Sequence, residues 1–223
     1  QEADHVRAHN NPANLLTERG DHKSAADHYF RAAERSEGLT HHISAAHAAR
    51  RIGDWATPQK LQHSLLHSLR ANERPHDRTQ PFPLLSTPSA TAIDQLHAAS
   101  QMAKAYAGTE AVGHEPVPLL ATQPRLRIGY VSSDLHDHAT THLLVEVLEL
   151  HDRMRFEIVA FDYSVDRRSA YRTRILEAFD RVIPVIGLSD TEVARRISAE
   201  KIAIAVDLKA WTTGGGPQIL ARP

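Results

Sequence analysis

Cysteine is absent from the 223 residues, so the chain has no disulfide framework, no thiolate zinc site and no thiol nucleophile. Charge of one sign is lacking too: 26 basic and 27 acidic side chains leave a formal net charge of -1, which removes any bulk attraction to nucleic acid or an anionic membrane. No apolar run approaches the ~20 residues of a membrane span. A cytoplasmic protein without nucleic-acid or membrane partners is the expectation. No H-E-x-x-H occurs, and His63 and His67, one helical turn apart, have no such glutamate between them. No D-x-D pair is present to hold a sugar nucleotide through a divalent metal. Nor does a G-x-G-x-x-G follow the first expected strand, which counts against a dinucleotide site even though Asp162 ends the second strand where such folds hold ribose.

What is present centres on Arg125 to His142, RLRIGYVSSDLHDHATTH. Leu126, Ile128, Tyr130 and Val131 form a β-rich run. Ser132, Ser133 and Asp134 end it with side chains that bond their own backbone, and from Leu143 the apolar spacing becomes helical. Ligands of open α/β sheets bind just beyond the carboxyl ends of strands, so this turn and its His138 are the first candidates for chemistry. A histidine near a helix N-terminus tends to be neutral and able to accept a proton. The bland alternative is that His138 only stabilises the turn. His142 is expected to pack or to support His138, and His136 to be solvated.

Residues 1–74 read as helical and rich in alanine and histidine. Gly20, Ala25, Tyr29 and Ala32 follow the small, small, aromatic, small spacing of a tetratricopeptide repeat, and Gly53 lies near the ~34-residue period from Gly20. The second repeat is degenerate, with Pro58 and Gln62 in the places of Ala25 and Tyr29, as suits a terminal unit. Pro12 is expected to break the first helix or sit in its first turn. Residues 75–124 hold seven of the twelve prolines. They read as an ordered junction: an extended connector at Pro81 to Leu85, then a helix over 90–107 with Ile93, Leu96, Ala99 and Ala103 on one face.

From residue 125 to 223, strands are predicted at 126–132, 156–163, 181–185 and 202–208. Helices are predicted at about 140–151, 167–179, 190–200 and from 217. That βα alternation specifies a parallel, Rossmann-like sheet with right-handed crossovers. The fourth strand runs into Asp207-Leu208-Lys209-Ala210-Trp211-Thr212-Thr213-Gly214-Gly215-Gly216-Pro217. Glycines at such a turn let a ligand approach the backbone, and Pro217 suits the first turn of a helix. Asp207 would bond a sugar hydroxyl or cap the turn, and both readings stay open.

The run from Arg125 to Asp134, followed by His138, Thr140, Thr141 and His142, resembles the O-linked N-acetylglucosamine transferases, GT-B glycosyltransferases carrying tetratricopeptide repeats, in their bacterial form. The resemblance is specific over 125–142 and looser over 53–124 and 202–223. Ala210 and Trp211 depart from the family's Gly-Tyr, and Gly216 stands where relatives often carry arginine. The resemblance implies helical repeats joined to the N-terminal half of a GT-B fold. It implies inverting, metal-independent transfer of N-acetylglucosamine from UDP-N-acetylglucosamine to serine or threonine hydroxyls of a polypeptide held by the repeats, with no cofactor. His138 becomes the catalytic candidate, and Thr140, Asp207, Lys209, Thr212, Thr213, Gly214 and Gly215 the substrate-binding ones. The UDP-gripping groups belong to a C-terminal catalytic lobe, and the chain, opening on Gln1 and closing on Pro223, is expected to be one part of such an enzyme and inactive alone. The competing expectation is a non-enzymatic repeat scaffold that binds peptides.

Overall fold

The computed structural model describes residues 2–35, 39–71, 81–107, 124–165, 168–212 and 214–221. It divides into two units, Gln1–Ala105 and Tyr106–Pro223.

The first unit is helical: α1 (Glu2–Glu18), α2 (His22–Glu34), α3 (Leu39–Arg51), α4 (Ala56–Arg70) and α5 (Ala92–Ala107). Consecutive helices pack on each other through alanine. Ala25, Ala26, Ala32 and Ala33 of α2 and Ala45, Ala46, Ala48 and Ala49 of α3 are buried, because a methyl group lets two helices approach closely. Gly20 and Gly53 follow α1 and α3 with φ of 80° and 77°, the left-handed region where a helix-terminating residue without Cβ costs least. Each is followed by a capping aspartate: Asp21 accepts from the Ser24 amide, and Asp54 from those of Ala56 and Thr57.

Three expectations for this unit need correction. Helix α1 runs through Pro12 rather than breaking there, since its flanking turns stay helical and the buried Ala13 anchors it. The connector after Pro81 is not extended but a 3-10 turn, Phe82–Ser86, which buries Leu84 and leaves Phe82 and Leu85 exposed. On α5 the buried positions are Asp94, Ala98 and Met102, while Ile93 and Leu96 are exposed. The reason is an ion pair. Asp94 is 3% exposed and takes both Arg70 Nε and Nη2, at 2.7 and 2.8 Å, together with the amide and hydroxyl of Thr91. That cluster turns the Asp94 face of α5 inward.

The second unit carries a four-stranded, all-parallel sheet of β1 (Leu126–Ser132), β2 (Phe156–Asp162), β3 (Arg181–Pro184) and β4 (Ile204–Asp207), in the order β3-β2-β1-β4. Between the strands run α6 (Ala139–Glu149), α7 (Ala170–Glu177) and α8 (Asp190–Ala199), and α9 (Pro217–Leu220) follows β4. Both faces are covered, as a parallel sheet requires. One core gathers Ile128, Tyr130, Ile158 and Ala160 with Val145, Leu148 and Ile175 of the helices. The other gathers Val131, Val159, Phe161 and Ile183 with Val193, Ile197 and Ile219. Gly129 lies mid-strand because a Cβ there would meet Ile202 and Phe161 at 3.0 Å. Ser169 caps α7, and Ser189 with Glu192 forms a capping box on α8.

Candidate active site

Residues β1 delivers to its carboxyl end fold into a tight polar turn. Ser132 Oγ accepts the Asp134 amide at 2.9 Å, and Ser164, just beyond β2, accepts the Leu135 amide at 3.0 Å. Thr141, buried in the first turn of α6, donates its hydroxyl to the carbonyls of His136 and His138. His136 is therefore buried, 8% exposed, and not solvated as its polarity suggests. Its ring meets that of His138 edge-on, with centroids 5.6 Å apart.

His138 is the N-cap of α6, with extended backbone at φ -146° and ψ 151°. Its Nδ1 accepts the Thr140 amide at 3.2 Å. The Asp134 carboxylate lies 3.6 Å from the same nitrogen, beyond hydrogen-bond range. A nitrogen that accepts a main-chain N–H has no proton of its own, so the neutral ring carries its hydrogen on Nε2 and presents a donor. His142 does not support His138. It bonds Asp137 at 2.7 Å and packs against Tyr171 with the rings tilted by 31° and centroids 4.3 Å apart.

The turn after β4 closes on this one. Lys209 Nζ reaches both oxygens of Asp134, at 2.9 and 3.1 Å, and both side chains are about nine-tenths buried. Asp207 accepts the amides of Lys209 and Ala210 at 2.8 and 3.0 Å, which is the turn-capping role. Thr212 donates its hydroxyl to the Lys209 carbonyl at 2.7 Å. Gly215 cannot be replaced in this geometry, because a Cβ would lie 2.3 Å from the Ala210 carbonyl oxygen. Gly214, at φ 77°, passes close to Ser133. Thr140 contributes its amide to His138 and is half-buried on the same turn. Thr213 lies outside the described residues. The expected site residues otherwise share one end of the sheet, in two facing turns.

Asp162 is engaged elsewhere. It pairs with Arg172 at 2.7 Å and takes the Ser164 amide, so the carboxylate that ends β2 stabilises the α7 side of the lobe. Among the described residues, no group of three or more His, Asp or Glu side chains is placed to hold a metal ion. Two members of this end of the sheet escaped sequence reasoning: Tyr163, one residue past β2, and Asp190, the first residue of α8. Burial raises the Tyr163 hydroxyl above the ordinary tyrosine range, and the carboxylates of Asp207, Asp134 and Asp190 push the same way. The neighbouring Ser133 hydroxyl opposes them as a hydrogen-bonding group, although it is directed to Asp134 Oδ1 at 3.2 Å.

Helices followed by a Rossmann-like parallel sheet have the arrangement of an N-terminal lobe of the GT-B type. The profile of Glycosyl transferase family 41 matches residues 60–223, and the chain belongs to that family. The chain is 34% identical over 97 residues to an Arabidopsis thaliana protein named "Probable UDP-N-acetylglucosamine--peptide N-acetylglucosaminyltransferase SEC", covering 44% of this chain and 10% of that one. It is 32% identical over 101 residues to the Caenorhabditis elegans UDP-N-acetylglucosamine--peptide N-acetylglucosaminyltransferase, covering 44% of this chain and 9% of that one. The chain thus spans about a tenth of the length of these relatives. A solved structure of a Thermobaculum terrenum O-GlcNAc transferase mutant, K341M, superposes with a TM-score of 0.67 at 24% identity, over 99% of this chain and 42% of that one, and shares the fold.

Proposed function

We propose that this chain is the repeat-bearing and N-terminal catalytic part of an enzyme that transfers N-acetylglucosamine from UDP-N-acetylglucosamine to serine or threonine hydroxyls of polypeptides. The observation that carries the reading is the placement of His138 at the start of α6, beside the Asp134–Lys209 pair and opposite the glycine turn, at the carboxyl ends of the strands. Family membership and the activity printed for the relatives support it. Transfer is inverting and metal-independent in this reading. The acceptor is held by the helices of the first unit, and UDP by a C-terminal lobe.

The chemistry asked of this lobe is orientation of the acceptor hydroxyl and the sugar, with charge on the departing diphosphate stabilised elsewhere. With Nδ1 accepting the Thr140 amide, His138 serves through Nε2–H as a hydrogen-bond donor to substrate. It orients rather than deprotonates.

The test is transfer of labelled N-acetylglucosamine to a Ser/Thr peptide by the full-length protein, wild type beside His138→Ala. A loss of ~10²-fold or more places His138 in the reacting assembly. Equal transfer by both removes it from the chemistry, and no transfer by wild type, with peptide still bound, favours a peptide-binding scaffold.

A further inference from the structure

At the carboxyl ends of β2 and β3 lies a cavity of about 260 Å³, lined among others by Tyr163, Val185, Asp190, the three glycines 214–216 and Ile219. That is below the ~300–1,000 Å³ of whole small-molecule sites, so it suits one functional group of a larger ligand. Two of those glycines leave no free space for a side chain. A Cβ at Gly216 would lie 2.8 Å from Ile219 Cδ1, and Gly215 is closed off by the Ala210 carbonyl.

The Tyr163 hydroxyl is buried here and has no hydrogen-bond partner of good geometry among the described residues: Ser133 lies beside it but directs its own hydroxyl to Asp134 Oδ1. Native structures leave few buried polar groups unpaired, and an exception points to a partner that arrives from outside. Its surroundings define that partner. Because burial and three carboxylates keep the hydroxyl protonated, it offers a donor and needs an acceptor. An anion is repelled by Asp190 and Asp207, and a simple cation has no lone pair for the phenol. A neutral group with both an acceptor and a donor satisfies the site, and Val185 and Ile219 supply apolar cover for its carbon.

We propose that this cavity is a subsite for a neutral carboxamide, whose carbonyl accepts from Tyr163 Oη and whose N–H donates to the Asp190 carboxylate. The proposal rests on the transferase reading only for the source of the amide: a peptide bond of the acceptor polypeptide, or the acetamido group of the sugar. Tyr163 is a positioning residue in the first case and a donor-specificity residue in the second.

The experiment is equilibrium binding to the full-length protein without turnover, comparing wild type with Tyr163→Phe, which removes one oxygen and keeps the ring. The probes are a Ser/Thr peptide, UDP-N-acetylglucosamine, and UDP-glucose, which lacks the amide. A loss of roughly five- to tenfold for the peptide alone assigns the peptide bond. The same loss for UDP-N-acetylglucosamine but not UDP-glucose assigns the acetamido group. Unchanged affinity for both amide probes overturns the subsite, as does a wild type that binds neither. Thermal unfolding of Tyr163→Phe provides the second readout. An unchanged or higher midpoint is expected of an unpartnered hydroxyl, and a fall shows an internal partner and overturns the proposal. A wild type that binds the probes yet transfers nothing contradicts the transferase reading alone.

Discussion

Lys209 Nζ contacts both carboxylate oxygens of Asp134 across 75 residues of sequence, joining the turn after β4 to the turn after β1. The pair is about nine-tenths buried. Its electrostatic attraction is set against the desolvation of two charges, so its role is to fix geometry more than to add net stability. His138 stands 3.6 Å from the same carboxylate and donates no hydrogen bond to it.

Removing one partner leaves the other charge buried. Lys209→Met is expected to destabilise the fold by about 3–5 kcal/mol, while Lys209→Met combined with Asp134→Asn recovers a good part of that loss. Urea unfolding of the four members of the double-mutant cycle measures this. Additive losses would show that the two residues do not interact.

The hydrogen bond from the Thr140 amide fixes the His138 tautomer. Long-range ¹H–¹⁵N spectra of the histidine rings are expected to show Nε2 protonated and Nδ1 bare in the neutral form. The cap itself gives a separate readout. His138→Asn, which keeps a side-chain acceptor at the N-cap, is expected to unfold near wild type, whereas His138→Ala costs about 1 kcal/mol.

The Arg70–Asp94 pair makes the helical unit sensitive to acid. The Arg70 guanidinium, ahead of the Thr91 amide and hydroxyl, holds the Asp94 carboxyl well below the usual carboxylate range. A carboxyl depressed in the folded state is charged at lower pH than in the unfolded chain, where its pKa is about 3.9. Its contribution is therefore complete above that value and is lost as pH falls from there toward the folded pKa. Asp94→Asn is expected to cost about 1.5–3 kcal/mol at pH 7 and progressively less toward pH 2. Denaturant midpoints for both forms across that range check the sign.

Gly215→Ala places a methyl group against the Ala210 carbonyl oxygen. The backbone of the turn must shift, at about 1–3 kcal/mol, and peptide binding should weaken with it. Gly187→Ala is the control. Unlike Gly215 it has a positive φ, of 81°, and its added Cβ meets nothing within 4 Å, so it should show backbone strain without a clash.

The α/β alternation was legible because each strand is a short β-rich run and each turn carries its own capping chemistry. The expected strand at 126–132 is β1 to the residue, and the expected helix at 190–200 is α8 with one residue fewer. His138 was visible as a helix start for the same local reason. The burial of His136 was not, since it depends on Thr141 bonding the carbonyl five residues back. Nor was the inward face of α5, because Asp94 is turned in by an arginine on another helix and not by apolar spacing. Lys209 looked like a ligand contact when read beside its neighbours. Its partner lies in a different turn, and no periodicity within either segment reveals it.

In the strand order β3-β2-β1-β4, the last of these four strands to leave the ribosome docks against the first. β1 can pair with β2 once about forty residues have emerged, but it meets β4 only after α7, β3 and α8 have been made. Loop closure over that span comes late in assembly. Until then Asp134 has no lysine and the glycine wall does not exist. The two facing turns at this end of the sheet therefore mature together, once β4 has docked on β1.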